Sequence, residues 1–177
     1  MMEPWASFLA DLDAELNEEV CIHCIGGFAV TVQFGLSRQT SDIDVLSIAP
    51  NSQAELVSNL AGEGGALHHK HGVYIQLMGA IVTLPESYED HAKDLFPGRY
   101  KNLRVVGLDP YDLALSKLER NLQRDREDVK FLYKAVPLDV DTLEERYRTE
   151  QRPYFPEQVR IKLDLTLNLW LDMFKEA

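Results

Sequence analysis

The chain has 177 residues, 45% of them hydrophobic, which suffices for a buried core and excludes wholesale disorder. Lys and Arg number 18 against 29 acidic residues, a net charge of −11, so the surface as a whole is a poor match for a polyanion, which basic groups bind by displacing counterions. No apolar run approaches the roughly 20 residues of a spanning helix, and the N-terminus lacks the basic-then-apolar order of a secretory signal; the expectation is a cytoplasmic protein without a membrane partner.

In chain order, residues 3–19 carry Trp5, Phe8, Leu9, Leu12 and Leu16 at helical spacing. Residues 20–25, Val-Cys-Ile-His-Cys-Ile, read as a buried strand. On it Cys21 and Cys24 point to opposite faces, which argues against a metal or redox pair and for inert thiols. Gly26-Gly27 breaks the run, an apolar helix follows over 28–34, and Gly35 stops it. A polar loop, 37–41, leads into a strand over 42–48, which Pro50 and Asn51 end. Residues 52–61 form an amphipathic helix and 62–65 a turn. Strands are expected at about 66–70, 73–77 and 80–84, then a helix over 87–96 and a strand over 103–106. Asp109-Pro110 opens a helix as N-cap and first helical residue, with Tyr111, Leu115, Leu118 and Leu122 as its apolar stripe. Further helices are expected over 125–135 and 141–148.

The last segment carries both periods. Val159, Ile161, Leu163, Leu165, Leu167 and Leu169 alternate as on a strand. A strand that long would outrun a domain of this size, and the composition is not strand-like, so a helix is expected. Together these elements give an α/β fold, with a small mixed sheet flanked by helices in residues 1–108 and a helical C-terminal part in 109–177.

The chemistry concentrates in Gly26-Gly27 and in Arg38-Gln39-Thr40-Ser41-Asp42-Ile43-Asp44. Glycines between a strand and a helix let backbone approach a phosphate, and the helix start offers it N–H groups. Asp42 and Asp44 are two residues apart, so on a strand they share a face. Paired carboxylates repel unless a cation lies between them, and magnesium suits that role together with phosphate oxygens.

This block resembles the polymerase-β-like nucleotidyltransferase superfamily, and more narrowly the small bacterial nucleotidyltransferase-like proteins that include toxins of type IV toxin–antitoxin systems. A second block, Lys117 with Arg124-Asp125-Arg126-Glu127-Asp128, matches the same group. The resemblance implies transfer of a nucleoside monophosphate from a nucleoside triphosphate to a hydroxyl of RNA, such as tRNA, or of protein. It implies Asp42 and Asp44 as ligands of Mg2+ or Mn2+, with Asp42, Asp44 and Lys117 as the catalytic set. Gly26, Gly27, Arg38, Thr40, Ser41 and Lys117 would hold the nucleotide. Asp125 or Asp128 would support the site, and an antitoxin protein is the implied partner.

One departure matters. Members of that superfamily carry a third carboxylate on a later strand, and the matching position here is Gln76. An amide takes no proton and is a poorer magnesium ligand. This keeps a second expectation alive, a degenerate module that binds nucleotide or protein without transfer. His68, His69 and His71 are expected to be a polar strand end.

Overall fold

The computed structural model describes residues 3–37, 40–79 and 82–175, in two compact units. The first comprises residues 1–82 and 92–107, and the second residues 83–91 and 108–177. The second unit thus joins a short earlier segment to the C-terminal residues.

The first unit is built on helix α1 (Trp5–Glu15), strand β1 (Val20–Ile25), helix α2 (Gly26–Phe34), strand β2 (Asp42–Ala49), helices α3 (Ala54–Ala61) and α4 (Ala66–His71), and strand β3 (Tyr74–Leu77). Strands β4 (Lys93–Asp94) and β5 (Leu103–Gly107) complete a mixed sheet in the order β3-β2-β1-β5-β4. β1 is antiparallel to β2 and parallel to β5, and β2 is parallel to β3. Ile22, Cys24, Ile43, Val45, Ile75 and Val105 point to one face and are buried. α1 packs on β5, α2 on β1 and β2, and α3 on β3. Trp5 meets Phe28 edge-on at 5.1 Å, joining α1 to α2. A register shift between His23 and Cys24 lets both ends of β2 keep apolar side chains on the core face, Val45 opposite Cys24 and Ile48 opposite Ile22.

Gly35 ends α2 in the left-handed region at φ 78°, where a side chain would be strained, and its N–H closes on the Thr31 carbonyl. Cys24 is fully buried and Cys21 half-buried on the opposite face, as alternation requires.

Several local expectations are corrected. Residues 66–71 form a helix and not a strand; Ala-Leu-His-His-Lys-His has no β-branched residue, and Gly65 and Gly72 bracket it. The strand expected at 80–84 falls partly on residues 80 and 81, outside the described residues, and 82–84 are not in a strand. The helix expected over 87–96 shrinks to α5 (Tyr88–His91), because Lys93 and Asp94 pair with Gly107 and Val106. The helix opened by Asp109 ends at Leu115, well before Leu122, which is exposed.

The second unit is helical: α5, α6 (Pro110–Leu115), α7 (Gln123–Ala135), α8 (Val140–Arg146) and α9 (Glu157–Lys175). Its helix starts are set by side chains. Asp109 accepts the Asp112 N–H at 2.8 Å, Asp125 that of Leu122 at 3.0 Å, and Asp139 that of Thr142 at 2.7 Å. Leu115, Leu118, Val129, Leu143, Tyr147, Leu163, Leu167 and Trp170 form its core. The conflicting period of the last segment now has a cause. α9 buries Leu163, Leu167, Trp170 and Phe174 and leaves Ile161, Leu165 and Leu169 exposed, so two apolar stripes interleave on one helix. No helix among the described residues is long and apolar enough to cross a membrane.

Candidate active site

The first helix turn after β1 and the first residues of β2 come together. Gly26 sits at φ 70°, and a Cβ built on it would lie 2.1 Å from Asp44 Oδ2. The Asp44 carboxylate therefore rests directly on the Gly26 backbone, a place no side chain can share. Asp42 lies two residues earlier on the same face, half-buried like Asp44. Thr40 donates its hydroxyl to Asp42 Oδ1 and orients that carboxylate. The adjacent Ser41 is exposed and accepts the Tyr74 N–H at its carbonyl at 3.0 Å, tying the loop to β3. α2 begins at Gly26, and its N-cap residue, Ile25, supplies no side-chain cap to the first turn.

The register carries the site onto the next strand. Tyr74 stands beside Asp42 and Gln76 beside Asp44. The amide of Gln76 thus occupies the strand position abreast of the carboxylate pair. The Tyr74 hydroxyl is held above the ordinary tyrosine range, first by burial and then by the charges of Asp42, Glu63 and Asp44. Tyr74 and His68 are the neighbours that sequence reasoning misses. A signal for Tyr74 exists, since it lies two residues before Gln76 and so shares its face.

A family model described as "Nucleotidyltransferase of unknown function (DUF6036)" matches residues 7–175. The chain belongs to this nucleotidyltransferase family. The match runs through both units, and the family's name points to a nucleotide as the substrate class. No curated protein and no solved structure matches the chain.

Within this family member, Gly26, Gly27, Thr40, Ser41, Asp42 and Asp44 all belong to the first unit, while Arg38 lies outside the described residues. Lys117 belongs to the second unit. Its side chain is only 4% exposed, and its ammonium lies 2.8 Å from Asp128 and 3.9 Å from Asp125. Asp125 in turn receives Arg120 through two hydrogen bonds, and Arg120 and the Leu122 N–H keep its carboxyl below the ordinary range against the opposing effect of burial. Lys117 therefore has carboxylate partners already, and lending its charge to a phosphate means exchanging them.

The histidines do not form a strand end. His71 lies 2.6 Å from Asp11, which Lys70 also meets at 2.7 Å, and this pins α4 to α1. His68 lies against Tyr74, the rings tilted at 54° with centres 4.9 Å apart.

A separate cluster lies wholly in the second unit. His91, Asp109 and Asp112 bring possible ligand atoms within 4.8 Å of one another. A cation is already there: Arg146 donates to Asp109 and Asp112, both at 2.7 Å, and lies 3.0 Å from His91 Nδ1. The guanidinium supplies the positive charge that a metal ion would bring, so the cluster reads as structural.

Asp112 in this cluster is pushed up to about 6, first by burial and then by the Asp109 carboxylate, with Arg146 opposing. A carboxyl raised in the folded state adds stability below its unfolded value, 3.8, that is lost as pH rises through about 6. The loss should be on the order of 2–3 kcal/mol. Asp112→Asn, uncharged at every pH, should remove this part of the slope. Urea unfolding of both proteins from pH 4 to pH 7 measures it, and parallel stability curves would refute the assignment.

Proposed function

We propose that the protein is a metal-dependent nucleotidyltransferase that moves a nucleoside monophosphate from a nucleoside triphosphate to an acceptor oxygen. The observation that carries the reading is the seat of Asp44 on the Gly26 backbone, with Asp42 on the same strand face. Two half-buried carboxylates on one face are a donor set that suits magnesium or manganese. An ion held by Asp42 and Asp44 would neutralise phosphate charge and polarise the bond to the leaving group.

The chain's own residues do the rest. The Gly26-Gly27 turn admits the triphosphate close to the backbone, and the uncapped start of α2 supplies N–H donors to it. Thr40 fixes the rotamer of Asp42, so the carboxylate need not be ordered when the nucleotide arrives.

The test uses triphosphates labelled in the α-phosphate, with magnesium or manganese, against total RNA and protein. Asp42→Asn and Asp44→Asn should each lower transfer by about a hundredfold or more, with unchanged circular dichroism. Undiminished transfer in either variant would show that the site lies elsewhere.

Gln76 beside Asp44 favours a second reading, nucleotide binding without transfer. That reading predicts magnesium-dependent binding of triphosphate and no labelled acceptor.

A further inference from the structure

We infer that Tyr74, His68 and Gln76 form the acceptor subsite and that it takes a phosphate monoester, whose ionised oxygen attacks the α-phosphate of the bound triphosphate. This rests on the nucleotidyltransferase reading above. β3 is the edge strand of the sheet and presents Tyr74 and Gln76 beside the two carboxylates.

All three groups offer hydrogen-bond donors. The Gln76 amide is exposed and has two N–H donors. The phenol of Tyr74 is a donor at neutral pH, as tyrosine ordinarily is. The Gly64 N–H donates to His68 Nδ1 at 2.8 Å. The neutral ring therefore carries its hydrogen on Nε2, as a donor. The tilted contact between the His68 and Tyr74 rings holds the two together, and the exposed His69 stacks behind His68 at 6.0 Å.

This lining suits one acceptor class. A hydroxyl must lose a proton as it attacks, and in this reading Asp42 and Asp44 are committed to the metal. A phosphate monoester is ionised at neutral pH, and its oxygens are hydrogen-bond acceptors matched to three donors. One of those oxygens bonds to the α-phosphorus while the bond between the α-phosphorus and the bridging oxygen breaks. Pyrophosphate leaves with the electron pair, a phosphoanhydride forms, and no proton has to move.

The experiment offers matched acceptor pairs with an α-labelled triphosphate. One pair is a nucleoside 5′-monophosphate and the same nucleoside; the other is an oligoribonucleotide with and without its 5′-phosphate. The expected result is label only on the phosphorylated members, in a bond that resists phosphatase. Label on either one supports the inference, and the contrast between the two tells a small acceptor from a nucleic-acid end. Tyr74→Phe and His68→Ala should raise the acceptor KM by about tenfold, with the triphosphate KM unchanged, because each removes a donor to a charged group. Gln76→Glu should weaken use of the phosphate acceptor and confer labelling of the hydroxyl.

Labelling of the unphosphorylated members by the unaltered protein would overturn the inference and leave the transferase reading intact. Loss of that hydroxyl labelling in Glu63→Gln would overturn it equally, with Glu63 identified as the base. Magnesium-dependent binding of triphosphate without label on any acceptor would overturn both readings.

Discussion

Gly26→Ala should abolish nucleotide transfer and destabilise the first unit. At φ 70° an alanine costs about 1–2 kcal/mol of backbone strain. The larger effect is local, since the new methyl would lie 2.1 Å from Asp44 Oδ2 and must push that carboxylate away. A displacement on the order of 1 Å in a positioning group costs about a hundredfold in rate. Gly35→Ala supplies the control. Gly35 has a similar φ of 78°, and a methyl on it meets nothing within 4 Å. It should lose about 1 kcal/mol by urea denaturation and keep its transfer activity. Equal activity in the two variants would mean that the position of Asp44 is unimportant, and the site assignment would fall with it.

Arg146→Ala should have the largest effect on stability in the second unit. Its side chain is 9% exposed and serves Asp109, Asp112 and His91, with the Tyr111 ring 5.6 Å from the guanidinium carbon. Removing it leaves Asp109 and Asp112 as neighbouring carboxylates without their counter-charge. Breaking a buried pair in this way costs about 3–5 kcal/mol. Arg146→Lys keeps the charge and loses the fork that reaches both carboxylates, so it should fall between the two. The loss in the alanine variant should be smaller at pH 5 than at pH 8, because Asp112 can then take a proton. Urea unfolding at both pH values measures this, and a loss under about 1 kcal/mol at pH 8 would mean that the network is not holding the unit together.

Elements with their own local chemistry are legible in the sequence. Asp109-Pro110 opens α6 because an N-cap and a fixed φ are properties of those two residues. Gly35 stops α2 for a similar reason. The adjacency of Gly26 and Asp44 is legible as a constellation, although the contact itself is made by the pairing of Ile25 with Asp44. What misleads is context supplied from far away. Lys93-Asp94 looks helical until β5 is there to pair with it. His68 to His71 look like a strand end until Asp11 of α1 captures the helix they form. The burial of Lys117 is not legible, because its partners, Asp125 and Asp128, lie on the next helix. Arg146 carries no signal of its own in the sequence, because Asp109, Asp112 and His91 meet it only after folding.

The central place of β1 constrains how the protein can be made. Translation completes β1 early, yet its parallel neighbour β5 emerges only after four helices and three further strands. Until then one backbone edge of a Val- and Ile-rich strand has no native mate, a state prone to mispairing with other nascent chains. The segment from Thr83 to His91 waits longer still, because Arg146, Glu150 and Gln151 are the residues that receive it. Chains released from the ribosome before Gly107 should therefore depend on holding chaperones, and the last third of the polypeptide governs when the earlier part can be buried.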